Sequence, residues 1–198
     1  MRFEEILEIV RKEDAEFPAG ELAVMLNGYM HDICNEVEGH VSEIDVPVKT
    51  DSNYYNYDDL GDVFLQSFMK ARSVNLKDKV IVPLSNSVDG DYVIEYDHDG
   101  FLLGKRNHVE ISPLMDTDQI TLEYYSYPSP ITVNTGVLPI PQASSMYLWR
   151  IKADLYAEKR HWDRAGYYNR RYERALVNYR RMVQSSGPTK IIHPNTRI

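Results

Sequence analysis

The amino-acid sequence predicts an α+β protein in which helices at both ends flank a small antiparallel β region. Three observations indicate this class. Apolar residues recur every three or four positions near both ends, short alternating polar and apolar runs fill the middle, and four prolines lie within fourteen residues after them. The 198 residues, 43% hydrophobic and 26% charged, have the composition of a globular protein with one domain or two small ones.

Residues 1–41 predict two helices. The second helix begins after Pro18, which suits the first turn of a helix, and we expect it to reach about Glu38 and end near Gly39. Gly28 lies inside this helix at a cost of about 1 kcal/mol relative to Ala. The predicted apolar faces consist of Phe3, Ile6, Leu7 and Val10 in the first helix, and Leu22, Met25, Leu26, Tyr29, Ile33 and Val37 in the second.

Residues 42–127 predict an antiparallel β region. The candidate strands are residues 43–48, 63–65, 79–82, 92–96 and 120–125. Asp89-Gly90 and Asp99-Gly100 are turn signals between strands. A proline-rich linker over residues 128–141 closes the region, because proline lacks the backbone donor that a helix or a central strand requires.

The sequence predicts a helical hairpin over residues 142–184, which packs with residues 1–41, and an extended tail over residues 185–198. The second helix follows a break at residues 161–163. Its regular spacing is typical of a helix that packs along another helix, so we expect the stripe to be core rather than a cofactor site. The stripe consists of Ala143, Tyr147, Leu148, Ile151 and Leu155, then Ala165, Tyr168, Tyr172, Ala175, Tyr179 and Met182.

The net charge of −8 is unevenly distributed along the chain. Residues 1–140 carry a net charge of −16, and residues 141–198 carry +8. Such asymmetry indicates a charged partner, or oppositely charged surfaces that meet between copies of the chain. The other explanation, equally open at this point, is that an acidic body neutralises its own basic helices.

No stretch of the sequence carries a full catalytic or metal-binding signature. Residues 97–100 resemble the start of a calcium loop with its glycine too early, so we expect a solvated hairpin turn. Residues 100–106 resemble a phosphate-binding loop with one residue too few between the glycines, so we expect a turn between strands. Cys34 is the sole cysteine, which excludes an internal disulfide. The cluster Asp58, Asp59 and Asp62 predicts an exposed loop.

Arginines crowd the last predicted helix and alternate with tyrosines. Arg160, Arg164, Arg171, Arg174 and Arg181 form a candidate basic interface for phosphates or an acidic protein. The alternative is a solvated helix face whose arginine stems cover tyrosines. Because the tyrosines lie on the apolar stripe, this alternative or a protein partner is favoured over sequence-specific nucleic-acid binding.

Several stretches also carry a resemblance to a known family. The helix ELAVMLNGY at 21–29 has a central Leu-Asn, the strands GDYVIEY and ITLEYY follow at 90–96 and 120–125, and PIP at 139–141 leads into the last helices with ADLY, DRA and YERAL. In this order they resemble the head-to-tail adaptors of short-tailed bacteriophages, also called connector or tail tubular A proteins. The similarity spans most of the chain as architecture.

The resemblance implies a structural role without catalysis or a cofactor. Such adaptors form a ring, typically twelve-fold, between the portal protein and the tail or nozzle protein, and DNA passes through its lumen during ejection with at most non-specific contact. It implies a location in the virion neck after assembly in the host cytoplasm. The tail would then dock on the portal through Lys190, Ile191, Ile192, His193 and Pro194. Two alternatives are a cytosolic helical scaffold that binds acidic proteins and a hydrolase with two distant carboxylates.

Overall fold

A computed structural model of the chain describes residues 1–76, 79–108, 110–115, 119–140, 144–186 and 189–190. It confirms the α+β class. The chain forms two compact units, a helical unit that contains Met1–His40 and Tyr127–Thr189, and a sheet unit built on Val41–Ser126. The sheet unit is therefore an insertion between the two sequence segments of the helical unit.

The elements follow one another in chain order. The helices are α1 (Phe3–Arg11), α2 (Ala19–Val37), α3 (Asp62–Ser67), α4 (Ser144–Glu158) and α5 (Trp162–Ser186). The strands are β1 (His40–Val46), β2 (Tyr54–Asn56), β3 (Phe68–Leu76), β4 (Lys79–Val80), β5 (Val82–Pro83), β6 (Tyr92–Tyr96), β7 (Gly100–Asn107), β8 (Glu110–Ser112), β9 (Ile120–Ser126) and β10 (Thr189–Lys190).

In the helical unit, α4 packs against α5, α2 and α1. The core residues Leu22, Ile33 and Tyr147 have no exposed surface, as the apolar spacing of these helices requires. α2 ends at Val37, and the residue after it, Glu38, has a left-handed backbone (φ 50°) and donates its N–H to the carbonyl oxygen of Cys34. The helix therefore ends two residues before Gly39, close to the predicted position.

The predicted stripe of the hairpin is buried in part. Ile151, Leu155, Ala165 and Tyr179 are buried, whereas Met182 is 39% exposed. The prediction for Met182 is wrong because α5 has 25 residues and α4 has 15, so the last turns of α5 extend past the end of its hairpin partner. Ala143 lies outside the described residues.

The sheet unit consists of two five-stranded sheets packed over a shared core. One sheet has the order β10-β1-β9-β3-β4, and the other has the order β2-β7-β6-β5 with β8 also paired to β7. β5 pairs with β6 in parallel, whereas the pairs β1–β9, β2–β7, β3–β4, β3–β9, β6–β7 and β7–β8 are antiparallel. The core is rich in aromatic side chains, among them Tyr55, Phe64, Phe101 and Tyr124.

Three sequence predictions in this unit are wrong. Residues 63–65 lie in α3, where the N–H of Leu65 donates to the carbonyl oxygen of Gly61, four residues earlier; the exposed–buried–exposed pattern of Val63, Phe64 and Leu65 fits a strand as well, so it misled the prediction. Residues 79–82 form two short strands in different sheets, separated by Ile81, whose N–H donates to the carbonyl oxygen of Val74.

The third error concerns residues 100–106, which form strand β7 rather than a turn. A Cβ atom on Gly100 would lie 2.1 Å from the carbonyl oxygen of Tyr55, and one on Gly104 would lie 2.3 Å from that of Ser112. The two glycines therefore permit close approach of neighbouring strands. The predicted hairpin turn just before β7 is confirmed, with the Asp97 carboxylate accepting from the N–H groups of Asp99 and Gly100.

Candidate docking surfaces

Basic side chains of α4 and α5 lie over aromatic rings inside the helical unit. The guanidinium of Arg171 lies 5.3 Å from the ring centre of Trp149 and 5.1 Å from that of Tyr167. Arg164 lies 5.4 Å from the ring of Tyr156. These distances are typical of cation–π contacts. Such arginines stabilise the hairpin and are only in part available to a partner.

Other basic side chains of the hairpin pair with carboxylates from α2 and from the segment after α1. Arg180 lies 2.5 Å from the carboxylate of Glu36, and Lys152 lies 3.8 Å from that of Glu13. Glu13 also accepts a 2.9 Å hydrogen bond from the hydroxyl of Tyr156. The acidic N-terminal segment thus neutralises part of the basic C-terminal segment within one unit, as one of the two explanations of the charge asymmetry predicts.

One face of α5, distinct from its buried apolar stripe, is exposed to solvent from Asp163 to Arg181. Its members recur at spacings of four and three residues, which places them on one side of a helix. This outer face of α5 consists of Asp163, Tyr167, Arg170, Arg174, Val177, Asn178 and Arg181, all exposed. Glu173, Arg174, Val177, Asn178 and Arg181 line a shallow groove on it. In the described part of the chain, Arg170, Arg174 and Arg181 have no carboxylate partner.

The five arginines of the predicted basic interface lie in three different surroundings in the structure. Arg174 and Arg181 lie on the outer face of α5, whereas Arg164 and Arg171 cover aromatic rings. Arg160 follows the end of α4 with a left-handed backbone (φ 58°). Arg170 belongs to the same arginine series but is not part of the predicted interface, although its spacing of four from Arg174 and of three from Tyr167 is a usable signal.

The predicted docking tail falls largely outside the described residues. Lys190 belongs to β10, at the edge of a sheet next to β1. Ile191, Ile192, His193 and Pro194 lie outside the described residues. α5 continues through Ser185 and Ser186, so the first two residues of the predicted tail are helical.

A buried group of titratable side chains lies in the helical unit. His40 is 4% exposed, its Nε2 atom lies 3.4 Å from the hydroxyl of Tyr179, and its Nδ1 atom has no partner among the described residues. Burial lowers the pKa of His40 to about 4 and raises the pKa of Tyr179 to about 12. Burial also raises the pKa of the Cys34 thiol to about 12, so this thiol is not a nucleophile at neutral pH.

The sheet unit carries an excess of acidic groups. Residues 41–126 include 16 acidic and 7 basic residues. Within Asp58–Gln66, here called the acidic segment, Asp59 pairs with Lys49 at 2.7 Å, whereas Asp58 and Asp62 are exposed and make no ion pair with any described residue. Val63 and Leu65 are 58% and 40% exposed in the same segment. The predicted exposure is thus confirmed, but the predicted loop is wrong: Asp58 and Asp59 lie in a short 3-10 helix (Tyr57–Leu60), and Asp62 is the first residue of α3.

The described residues contain no group of three His, Cys, Asp or Glu side chains arranged to hold a metal ion. Every helix within the described ranges is too short or too polar to cross a lipid bilayer. Compared with known protein families and with curated proteins, the sequence matches no family and no curated protein.

Proposed function

We propose that the chain is a structural protein of the neck of a short-tailed phage virion, where copies form a ring that joins the portal to the tail around the path of the DNA. One observation carries the proposal. Both ends of the chain build one helical unit, in which the α4–α5 hairpin packs with α1 and α2, and the sheet unit is inserted between them. This arrangement fits the order of elements on which the adaptor resemblance rests.

The Leu26-Asn27 pair, on which part of the resemblance to adaptors rests, has a structural role that supports the proposal. The side-chain amide of Asn27 donates to the carbonyl oxygens of Ala23 and Ile131, at 2.9 and 2.8 Å, and its oxygen accepts from the N–H of Ile131 at 2.7 Å. Asn27 therefore fixes the proline-rich segment against α2 within the helical unit.

Electron microscopy of the purified chain mixed with portal rings tests the proposal. We expect a second ring on the portal. Removing residues 187–198, after the end of α5, should abolish portal binding and leave the helical circular dichroism unchanged. A full-length chain that never joins the portal contradicts the proposed function, and a truncated chain that still binds contradicts the docking role of the tail.

A cytosolic scaffold that binds acidic proteins is the second candidate, favoured by Arg170, Arg174 and Arg181 on the outer face of α5. The genes next to the coding sequence discriminate between the two. Portal and capsid genes favour the neck protein, and housekeeping genes favour the scaffold.

A further inference from the structure

The outer face of α5 has the composition of a protein interface. It extends for about 27 Å from Asp163 to Arg181 at 1.5 Å per residue. Arginine and tyrosine are enriched where interfaces bind most strongly, and Tyr167 and Val177 on this face are 45% and 44% exposed. Three arginines without a carboxylate partner among the described residues give this face local positive charge, beside Asp163 and Glu173, although the acidic and basic residues of the whole helical unit nearly balance.

The acidic segment of the sheet unit has the complementary properties. Asp58 and Asp62 are exposed without an ion pair in the described part of the chain, next to the exposed apolar side chains of Val63 and Leu65. The surrounding residues 41–126 have nine more acidic than basic residues. Two exposed carboxylates without an ion pair among the described residues, followed in the chain by two exposed apolar side chains, are complementary in charge and polarity to a groove lined by Arg174, Val177 and Arg181.

We infer that the outer face of α5 docks on the acidic segment of a second copy of the chain. The contact joins two different patches, so it is heterologous and repeats from copy to copy until a ring closes. The inference rests on the proposed ring and names the two surfaces that would form it. Complementary charge sets the register and speeds association, while Val177, Val63 and Leu65 supply apolar area.

A charge exchange tests the inference in the full-length chain. Arg174→Glu with Arg181→Glu makes the α5 face acidic, and Asp58→Lys with Asp62→Lys makes the segment basic. By sedimentation velocity we expect the wild type to associate, more strongly at about 0.05 M salt than at about 0.5 M. The dissociation constant for self-association of each double variant should rise tenfold or more. An equimolar mixture of the two variants should assemble again, with copies of one variant alternating with copies of the other.

Matched controls change the same charge elsewhere. Lys12→Glu with Lys105→Glu, and Asp51→Lys with Glu95→Lys, alter exposed residues outside both patches and should associate as the wild type does. The inference is overturned if the wild type stays monomeric at low salt, if the variants associate normally, or if their mixture does not assemble.

The test separates this inference from the proposed function and from nucleic-acid binding. If Arg174→Glu with Arg181→Glu still forms rings on the portal, the inferred contact is wrong and the neck function stands. If that variant loses affinity for duplex DNA in fluorescence anisotropy while its self-association is unchanged, the α5 face binds phosphates and the inference is overturned.

Discussion

The helical unit and the sheet unit use their charged residues differently. The helical unit contains 14 acidic and 13 basic residues, and pairs such as Glu36–Arg180 and Glu13–Lys152 join its acidic N-terminal and basic C-terminal segments. The sheet unit carries nine more acidic than basic residues between positions 41 and 126. The difference shows that the net negative charge of the chain lies in the sheet unit, whereas within the described residues the outer face of α5 carries three arginines without a carboxylate partner.

Each unit contains one contact on which a substitution can be tested sharply. In the helical unit, the side chain of Asn27 forms three hydrogen bonds to backbone groups of Ala23 and Ile131. In the sheet unit, Gly100 lies against the backbone of Tyr55, next to the stacked rings of Tyr55 and Phe101 at 5.2 Å. A substitution of Gly100 should therefore act through steric overlap, and a substitution of Asn27 through lost polar partners.

The largest effect is expected in the sheet unit for Gly100→Ala. The added methyl group would overlap the carbonyl oxygen of Tyr55, a backbone atom that cannot move without displacing β2. We expect a loss of about 3 kcal/mol in the free energy of unfolding, measured by urea denaturation. Gly136→Ala, where a Cβ atom meets nothing within 4 Å, serves as the control and should change stability little. Equal stability of the two variants would refute the close-approach argument.

Asn27→Ala should have the next largest effect, in the helical unit. The substitution leaves the N–H and carbonyl of Ile131 without their partner and should cost about 2 kcal/mol. Proteolysis within residues 128–140 should accelerate at the same time, because the segment loses its attachment to α2. A stability loss without faster cleavage there would show that Asn27 does not hold this segment.

The free energy of unfolding should depend on pH because His40 is buried in its neutral form. Its folded-state pKa of about 4 lies below the unfolded value of 6.5, so its contribution is fully present above pH 6.5 and is lost as the pH falls toward 4. Between pH 7 and pH 5 we expect a loss of about 2 kcal/mol from this group. His40→Gln should flatten this part of the urea-unfolding profile. Identical slopes in the variant and the wild type would contradict the assignment.

The smallest effect has the opposite sign. Gly28 is exposed inside α2, and a Cβ atom there meets nothing within 4 Å. Gly28→Ala should therefore stabilise the chain by about 1 kcal/mol, since alanine loses less backbone entropy in a helix. Thermal unfolding measures this gain in stability, and Gly100→Ala, which should lose stability, serves as the contrasting variant. A destabilised Gly28→Ala would mean that this surface is covered by a partner or that the helix is strained.

The helices could be predicted from the sequence more fully than the strands. Phe3, Ile6 and Val10 are buried as their spacing predicts, because a helix repeats its contacts within four residues. β3 was missed because its pairing with β9 shifts register after Phe68 and again after Ala71, and such bulges break the alternation of side chains. The formation of α3 and the split of residues 79–82 into two short strands depend on long-range strand pairing. A local sequence pattern does not contain that information.

The candidate docking surface could be predicted in part. Arg174 and Arg181 were expected at an interface and lie on the outer face of α5, whereas Arg164 and Arg171 lie over Tyr156 and Trp149. The sequence shows the arginines but not the rings beneath them, because those rings belong partly to α4. The acidic segment was expected to be exposed, but the exposure of Val63 and Leu65 beside it was not.

Residue type and local spacing suffice to predict the α+β class, the helical ends and the division of charge along the chain. Which described charges have partners, and which glycines lie against a backbone, follows from the folded chain alone. Pairing and close approach join residues far apart in the chain, as Glu36 with Arg180 and Gly100 with Tyr55 do. Their energies depend on distances in space that a linear pattern does not contain.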